Sequence, residues 1–320
     1  MIKYIIKRLL MMIPILISVS ILIFILMDFV PGDPARIALS NNTIITEADL
    51  AAKRAQLGLD KPFLTRLLLY LKGIFFHLDF GTSYTYGTSA GAEIMSRFPT
   101  TLLLAFSCTL TMVVIGAPLG IRAAVKANTF EDKLSMFITL LGNCMPNFWL
   151  ALMLVLVFSL RLGWLPSSGI NSWKNYVLPI VAGSLSGVAA IARQTRASML
   201  EVIRSDYVTT ATAKGLSANQ VIFGHALPNA LIPVITICGQ QFGFMMGGIS
   251  VIEMIFSIPG IGSFLITSIN QRDYPCVEGC IVYIAFCFSI MMLITDLIYA
   301  FVDPRIKAGY ISKNKKRTKQ

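Results

Sequence analysis

The chain has 320 residues, of which 55% are apolar and only 13% charged, with a formal net charge of +11. An average soluble domain carries roughly twice that share of charge, so a soluble globular protein is excluded and an integral membrane protein is implied. The basic residues are not interleaved with exposed aromatics, which argues against a nucleic-acid partner and for the lipid bilayer.

In chain order, Lys3, Lys7 and Arg8 precede an apolar run from Leu9 to about Val30. It is too long for the core of a secretory signal and ends in Asp-Phe-Val-Pro-Gly-Asp-Pro rather than a small-residue cleavage site, so it reads as an uncleaved first span. Residues 31–98 contain no span. Thr46 to Leu57 reads as a short polar helix with Thr46 as cap and Gly58 as stop. Pro62 to Phe76 reads as an amphipathic one, with Leu64, Leu67, Leu68 and Leu71 on one face. Together they predict a small ordered extramembrane lobe.

From Pro99, apolar runs recur at about 100–121, 134–160, 177–197, 229–252 and 280–302, making six spans with the first. Their Gly and Pro residues, such as Gly116, Gly120, Pro146, Gly183 and Gly187, are tolerated where neighbouring helices satisfy freed backbone groups. With the N-terminus inside, 17 of the 27 lysines and arginines fall on the inner side. Seven of the other ten lie in the long 31–98 segment, where the positive-inside rule is weakest, so both termini are expected in the cytoplasm.

That topology leaves Ser198 to Asn229 as a cytoplasmic island between the fourth and fifth spans. Arg204 to Ala213 can be helical, Gly215 is a C-terminal stop, and Ser217 with Gln220 forms a capping box for a second helix that Leu227-Pro228 would end. Two short helices around a glycine form a docking surface.

Here the sequence resembles a known family. Ala211, Gly215 and Leu227-Pro228 match the EAA loop, Glu-Ala-Ala-x3-Gly-x9-Ile-x-Leu-Pro, of bacterial ABC-importer permeases, although Thr209 stands where the pattern has Glu and His225 where it has Ile. Pro31-Gly32-Asp33-Pro34, Leu57 to Pro62, Asp79 to Ser83, Met145 to Trp149, Tyr207 to Gly215, Gly247 to Gly262, Arg272 to Pro275 and Asp303-Pro304-Arg305 carry the resemblance through the chain and narrow it to the peptide/nickel branch. Met145 to Leu150 and Asn270 to Pro275 are somewhat more similar to the nickel-type subunits than to the dipeptide-type ones.

The resemblance implies an all-α membrane protein: a type I (MetI-like) permease core at 96–305, an N-terminal helix and extracytoplasmic lobe at 1–95, and a basic cytoplasmic tail at 306–320. It implies a bacterial inner-membrane importer subunit for a metal chelate or small peptides. Its partners would be a homologous second permease, two ABC ATPase subunits and an extracytoplasmic binding protein. No Gly-Lys dipeptide exists, hence no Walker A loop, so the chain is not expected to be an enzyme or to hold a cofactor; ATP and Mg²⁺ would be bound by the partners. The coupling loop would present Tyr207, Thr209, Ala211, Ala213, Lys214, Gly215, Leu227 and Pro228. Ala211 and Gly215 would be small because a partner surface approaches there.

The resemblance implies that Met145, Phe148, Trp149, Glu253, Phe256, Pro259 and Gly260 are candidates for the pathway or gate, the segment after Glu253 forming in relatives a re-entrant hairpin that lines the pathway. An acid such as Glu253 near mid-membrane usually faces a cavity or a partner. The bland alternative for Glu253 is a solvated or salt-bridged loop residue. Arg272 and Asp273 are expected at the outer surface, in contact with the binding protein or merely solvated. Asp296 is expected to bond another helix. His77 and His225 fall on opposite sides, and Cys276 and Cys280 lack a nearby histidine, so no metal site is expected. A self-sufficient ion-coupled carrier or channel is the rival reading; a membrane-embedded hydrolase lacks His-Glu-x-x-His and Gly-x-Ser-x-Gly.

Overall fold

The computed structural model describes residues 2–39 and 45–302. The basic tail and Asp303-Pro304-Arg305 lie outside the described residues. Helix α1 (Ile2–Asp28) is the first predicted span. A lobe follows, made of α2 (Pro34–Ala38), α3 (Glu47–Gln56) and α4 (Phe63–Lys72). The expected cap and stop form: the Thr46 hydroxyl accepts from the Asp49 amide, and Gly58 stops the helix at φ +67°; the Asp49 carboxylate in turn accepts from the Thr46 amide, completing a capping box. Helix α4 is amphipathic as expected, yet Leu64 and Leu68 are exposed and unpacked within this chain.

Long helices α5 (Ala90–Val125) and α8 (Lys174–Ile203) form the most extensive packing pair. Their crossing is set by glycines at four-residue spacing on both sides. A Cβ on Gly116 would lie 2.8 Å from the Val188 carbonyl oxygen, and one on Gly120 would lie 2.6 Å from Thr195 Cβ. From the other side, a Cβ on Gly183 would lie 2.9 Å from the Cys108 sulfur, and Gly187 faces Met112 just as closely. Without a hydrophobic driving force between helices in lipid, such backbone approach supplies the van der Waals contact that holds them. Leu104, Met112, Ile191, Met246 and Ile249 fill the surrounding core.

The third predicted span is not one helix. It consists of α6 (Phe130–Cys144) and α7 (Asn147–Leu154), the latter running on through a widened π-helical turn to Arg161, and the two parts are bent by 95°. Pro146 is the cause. It forces Met145 into extended backbone at ψ 125° and has no amide to donate to the preceding turn.

After α8 come the short α9 (Asp206–Ala213) and then α10 (Leu227–Gly248). A corner follows, built of α11 (Ser250–Ile255) and α12 (Ile261–Gln271), and α13 (Tyr274–Val302) is the last span. Among the described residues five helices are long and apolar enough to cross a membrane, and the bent α6–α7 pair, counted as one span, makes six. The Arg8 guanidinium pairs with Asp296 at 2.9 Å, joining α1 to α13, so Asp296 does bind another helix.

Candidate functional site: a coupling surface and the corner opposite it

Helix α9 is held at the end of α8 by its own apolar face. Val208 and Ala211 are buried against Met199, Val221, Ala226 and Ala230. Ala211 is therefore small for a reason inside this chain, which corrects the expectation that a partner's approach alone requires it. The rest of α9 is outward: Tyr207, Thr209, Thr210, Ala213 and Lys214 are exposed. Thr209 turns its hydroxyl back on the Ser205 carbonyl at 3.3 Å.

Gly215 ends α9 at φ +81°, a left-handed conformation that a side chain strains, and a Cβ there would meet nothing of this chain within 4 Å. The Gln220 side chain reaches back to the Ser217 amide and hydroxyl, which is half of the expected capping box. The second short helix does not stop at Leu227-Pro228. A π-helical stretch, Gln220–Ala226, runs straight into α10, and Leu227 and Pro228 stand at the junction, where the widened π turn accommodates a proline inside continuous helix. The loop is thus one short helix packed on the end of α8, a glycine turn, and the root of a span, so α9 is joined by contact or by chain to both α8 and α10. The Tyr207 hydroxyl accepts from Asn229 at 3.0 Å, fastening α9 to that root.

Sequence reading overlooked three groups here. Arg196 on α8 donates through Nε and a terminal nitrogen to the two oxygens of Asp132, at 2.6 and 2.7 Å, and the Asn128 amide donates to the same carboxylate. Asp132 is buried, and this paired geometry ties the start of α6 to α8 about two turns before α8 ends. Phe223, 58% exposed, stands beside Gly224 on the same end. Counting Arg196 and Asp132 as charges hid their pairing, since 64 residues separate them.

At the other end lies the α11–α12 corner. Glu253 is fully buried and is neither a solvated nor a salt-bridged residue. Its Oε2 accepts from the Ser263 amide at 2.8 Å and its Oε1 from the Thr101 hydroxyl at 2.7 Å, while that hydroxyl accepts from the Ile261 amide. The carboxylate and Thr101 thereby satisfy first-turn amides of α12 that a helix leaves unpaired, and the negative charge sits at the positive end of the helix. Gly260 is buried against this carboxylate, Phe256 is buried in the main core, and Pro259 is exposed. Phe148 and Trp149 on α7 are half exposed, and Met145 lies at the bend.

Asp273 is fully buried, which corrects the expectation that it lies on the surface. The Ser83 hydroxyl and the Tyr84 and Thr85 amides all donate to it. Arg272 is exposed, but its guanidinium donates to the Pro31 carbonyl at 2.9 Å. The two residues clasp the lobe to the corner. Among the described residues no group of three or more metal-binding side chains exists.

An apolar bundle with a helix–glycine–span loop at one end and a capped corner at the other is the build of an importer's membrane subunit. The chain belongs to the family of binding-protein-dependent transport system inner membrane components, matched at residues 116–308, with that family's N-terminal region matched at 1–105. It is 41% identical to the glutathione transport system permease protein GsiC of Escherichia coli K12, over 96% of this chain and 99% of that protein. To the GsiC of Salmonella typhimurium it is 39% identical over the same shares. In fold it is similar to the inward-facing MetNI methionine ABC transporter, at TM-score 0.56 and 18% identity, covering 66% of this chain and 96% of that one. An amino acid ABC transporter solved with histidines gives TM-score 0.50 at 15% identity, over 67% and 94%. The protein is therefore an inner-membrane ABC-importer permease, a transport subunit rather than an enzyme.

Proposed function

We propose that this permease imports small peptides of the glutathione class. The observation that carries this is its 41% identity, end to end, with a glutathione permease. A metal chelate, toward which Met145 to Leu150 and Asn270 to Pro275 lean, draws no support from those relatives. A homologous second permease completes the pathway, and two ATPase subunits receive the exposed face of α9. Both termini and the 198–229 loop lie in the cytoplasm, and a binding protein docks on the lobe end, where Arg272 rather than Asp273 is available to it. ATP and Mg²⁺ are held by the ATPases.

The experiment is uptake into proteoliposomes holding the assembled transporter, with ATP inside and the cognate binding protein outside. Glutathione or a di- or tripeptide should accumulate and nickel chelates should not. Accumulation of nickel alone would overturn the peptide assignment, and uptake without ATPase subunits would favour the self-sufficient carrier.

A further inference from the structure

Between the lobe and the first turns of α13 lies a cavity of about 670 Å³, within the size range of small-molecule sites. Its walls include Phe24, Tyr70, Phe80, Tyr84 and Tyr274, so it is aromatic on several sides. Into it opens Glu278, only 9% exposed, which makes no hydrogen bond or salt bridge among the described residues. The same residue lines a neighbouring cavity of about 370 Å³ toward α1. A second polar group is also unmatched: the Tyr70 hydroxyl is buried without a partner and lines the larger cavity.

Arg66, whose guanidinium lies over the Phe24 ring at 5.6 Å, lines the cavity but bonds Asp28 at 2.9 Å; Arg54 bonds Asp33, Lys53 bonds the neutral Gln56 side chain, and Asp79 accepts from the Gly81 amide. Of these acids Glu278 alone has no bonded partner among the described residues, although the Arg66 charge reaches it. A buried unmatched carboxylate is costly unless a cation or a hydrogen-bond donor reaches it, and aromatic walls favour an organic ammonium over a hydrated metal ion.

We infer that this cavity is a second binding site, which takes the amino terminus of a small peptide, its ammonium on Glu278 with the Tyr70 hydroxyl as an additional partner. The site is separate from the coupling loop and from the Glu253 corner. The choice of a peptide as the ammonium's owner rests on the substrate reading above.

The test titrates the assembled transporter in lipid nanodiscs, without binding protein or nucleotide, with triglycine and with N-acetyl-triglycine. Triglycine should bind saturably. E278Q should weaken it about ten-fold or more, the size of a lost charge-assisted bond, and acetylation of the amine should do the same. No saturable binding at millimolar triglycine, equal affinity for the acetylated peptide, or unchanged affinity in a stable E278Q protein overturns the inference. If E278Q lowers the melting temperature markedly, Y70F decides: a several-fold loss supports the site and an unchanged affinity overturns it. Should wild-type proteoliposomes fail to import peptides while triglycine binding still depends on Glu278, the substrate reading fails and the site stands.

Discussion

The carboxylate of Glu253 occupies the space that a side chain on Gly260 would need: a Cβ built there would collide with both carboxylate oxygens. One residue's lack of a side chain is thus what lets another, seven positions earlier, cap α12. The pair behaves as a unit, and Gly260→Ala should displace the carboxylate and destabilise the corner by about 1–3 kcal/mol, as overpacking does. Glu253→Ala should cost a similar amount by stranding buried donors. The double variant should cost less than the sum, read as thermal midpoints of the purified transporter; strict additivity would show that the two do not act through each other.

The Arg196–Asp132 pair makes the bundle end rigid next to α9. Breaking a buried pair leaves a charge uncompensated, so Asp132→Ala should cost about 3–5 kcal/mol and reduce ATP-driven uptake. Arg196→Ala should cost at least as much, because the charge it leaves uncompensated is the buried Asp132 carboxylate, whereas Asp132→Ala leaves the more exposed Arg196. Asp132→Glu, which keeps the charge but not the paired geometry, should fall between wild type and Asp132→Ala in both thermal stability and uptake rate.

Gly215 separates a backbone requirement from a contact requirement. Valine at 215 should cost about 1–2 kcal/mol locally, the penalty of a left-handed residue with a Cβ, and should stop uptake without preventing membrane insertion. Asparagine tolerates that backbone and meets nothing within this chain. Restored uptake in Gly215→Asn would locate the requirement in the turn; continued loss would locate it in the ATPase surface.

The lobe should loosen in acid. The Arg54 guanidinium holds the Asp33 carboxyl below its ordinary value, with the Ala35 amide adding to the effect. A folded value below the unfolded one means the contribution is full above about pH 4 and is lost as pH falls through the depressed folded value. Relative to the intrinsic amide rate at each pH, hydrogen exchange in α2 and α3 should rise on acidification into that range. Asp33→Asn should show faster exchange already at neutral pH and a smaller further rise, whereas an unchanged pH profile in that variant would remove Asp33 as the cause.

What could be read in the sequence was whatever depends on near neighbours. The cap at Thr46, the stop at Gly58 and the turn at Gly215 are local patterns and form as expected. Pro146 also carried a local signal, but a continuous apolar run outweighed it, and the break was missed. Leu227-Pro228 was misread because proline ends a helix and begins one with equal ease, and only the π-helical approach from Gln220 decides which. The roles of Glu253 and Asp273 were hidden. Their partners lie far away in sequence, with Thr101 152 residues from Glu253 and Ser83 190 from Asp273. The glycine spacing in α5 and α8 was visible, but which helix each set would meet was not.

The lobe's fastening has a consequence for how the chain is made. Residues 31–89 leave the ribosome early, yet the carboxylate that gathers Ser83, Tyr84 and Thr85 belongs to Asp273, and α1 packs chiefly on α13. During synthesis, which proceeds at about 5–20 residues per second, the first span and its lobe must wait for most of the polypeptide before their seat exists. A ribosome-arrested chain ending before Asp273 should hold five-sixths of the sequence and an unclosed lobe. The last helix inserted is the one that docks the first.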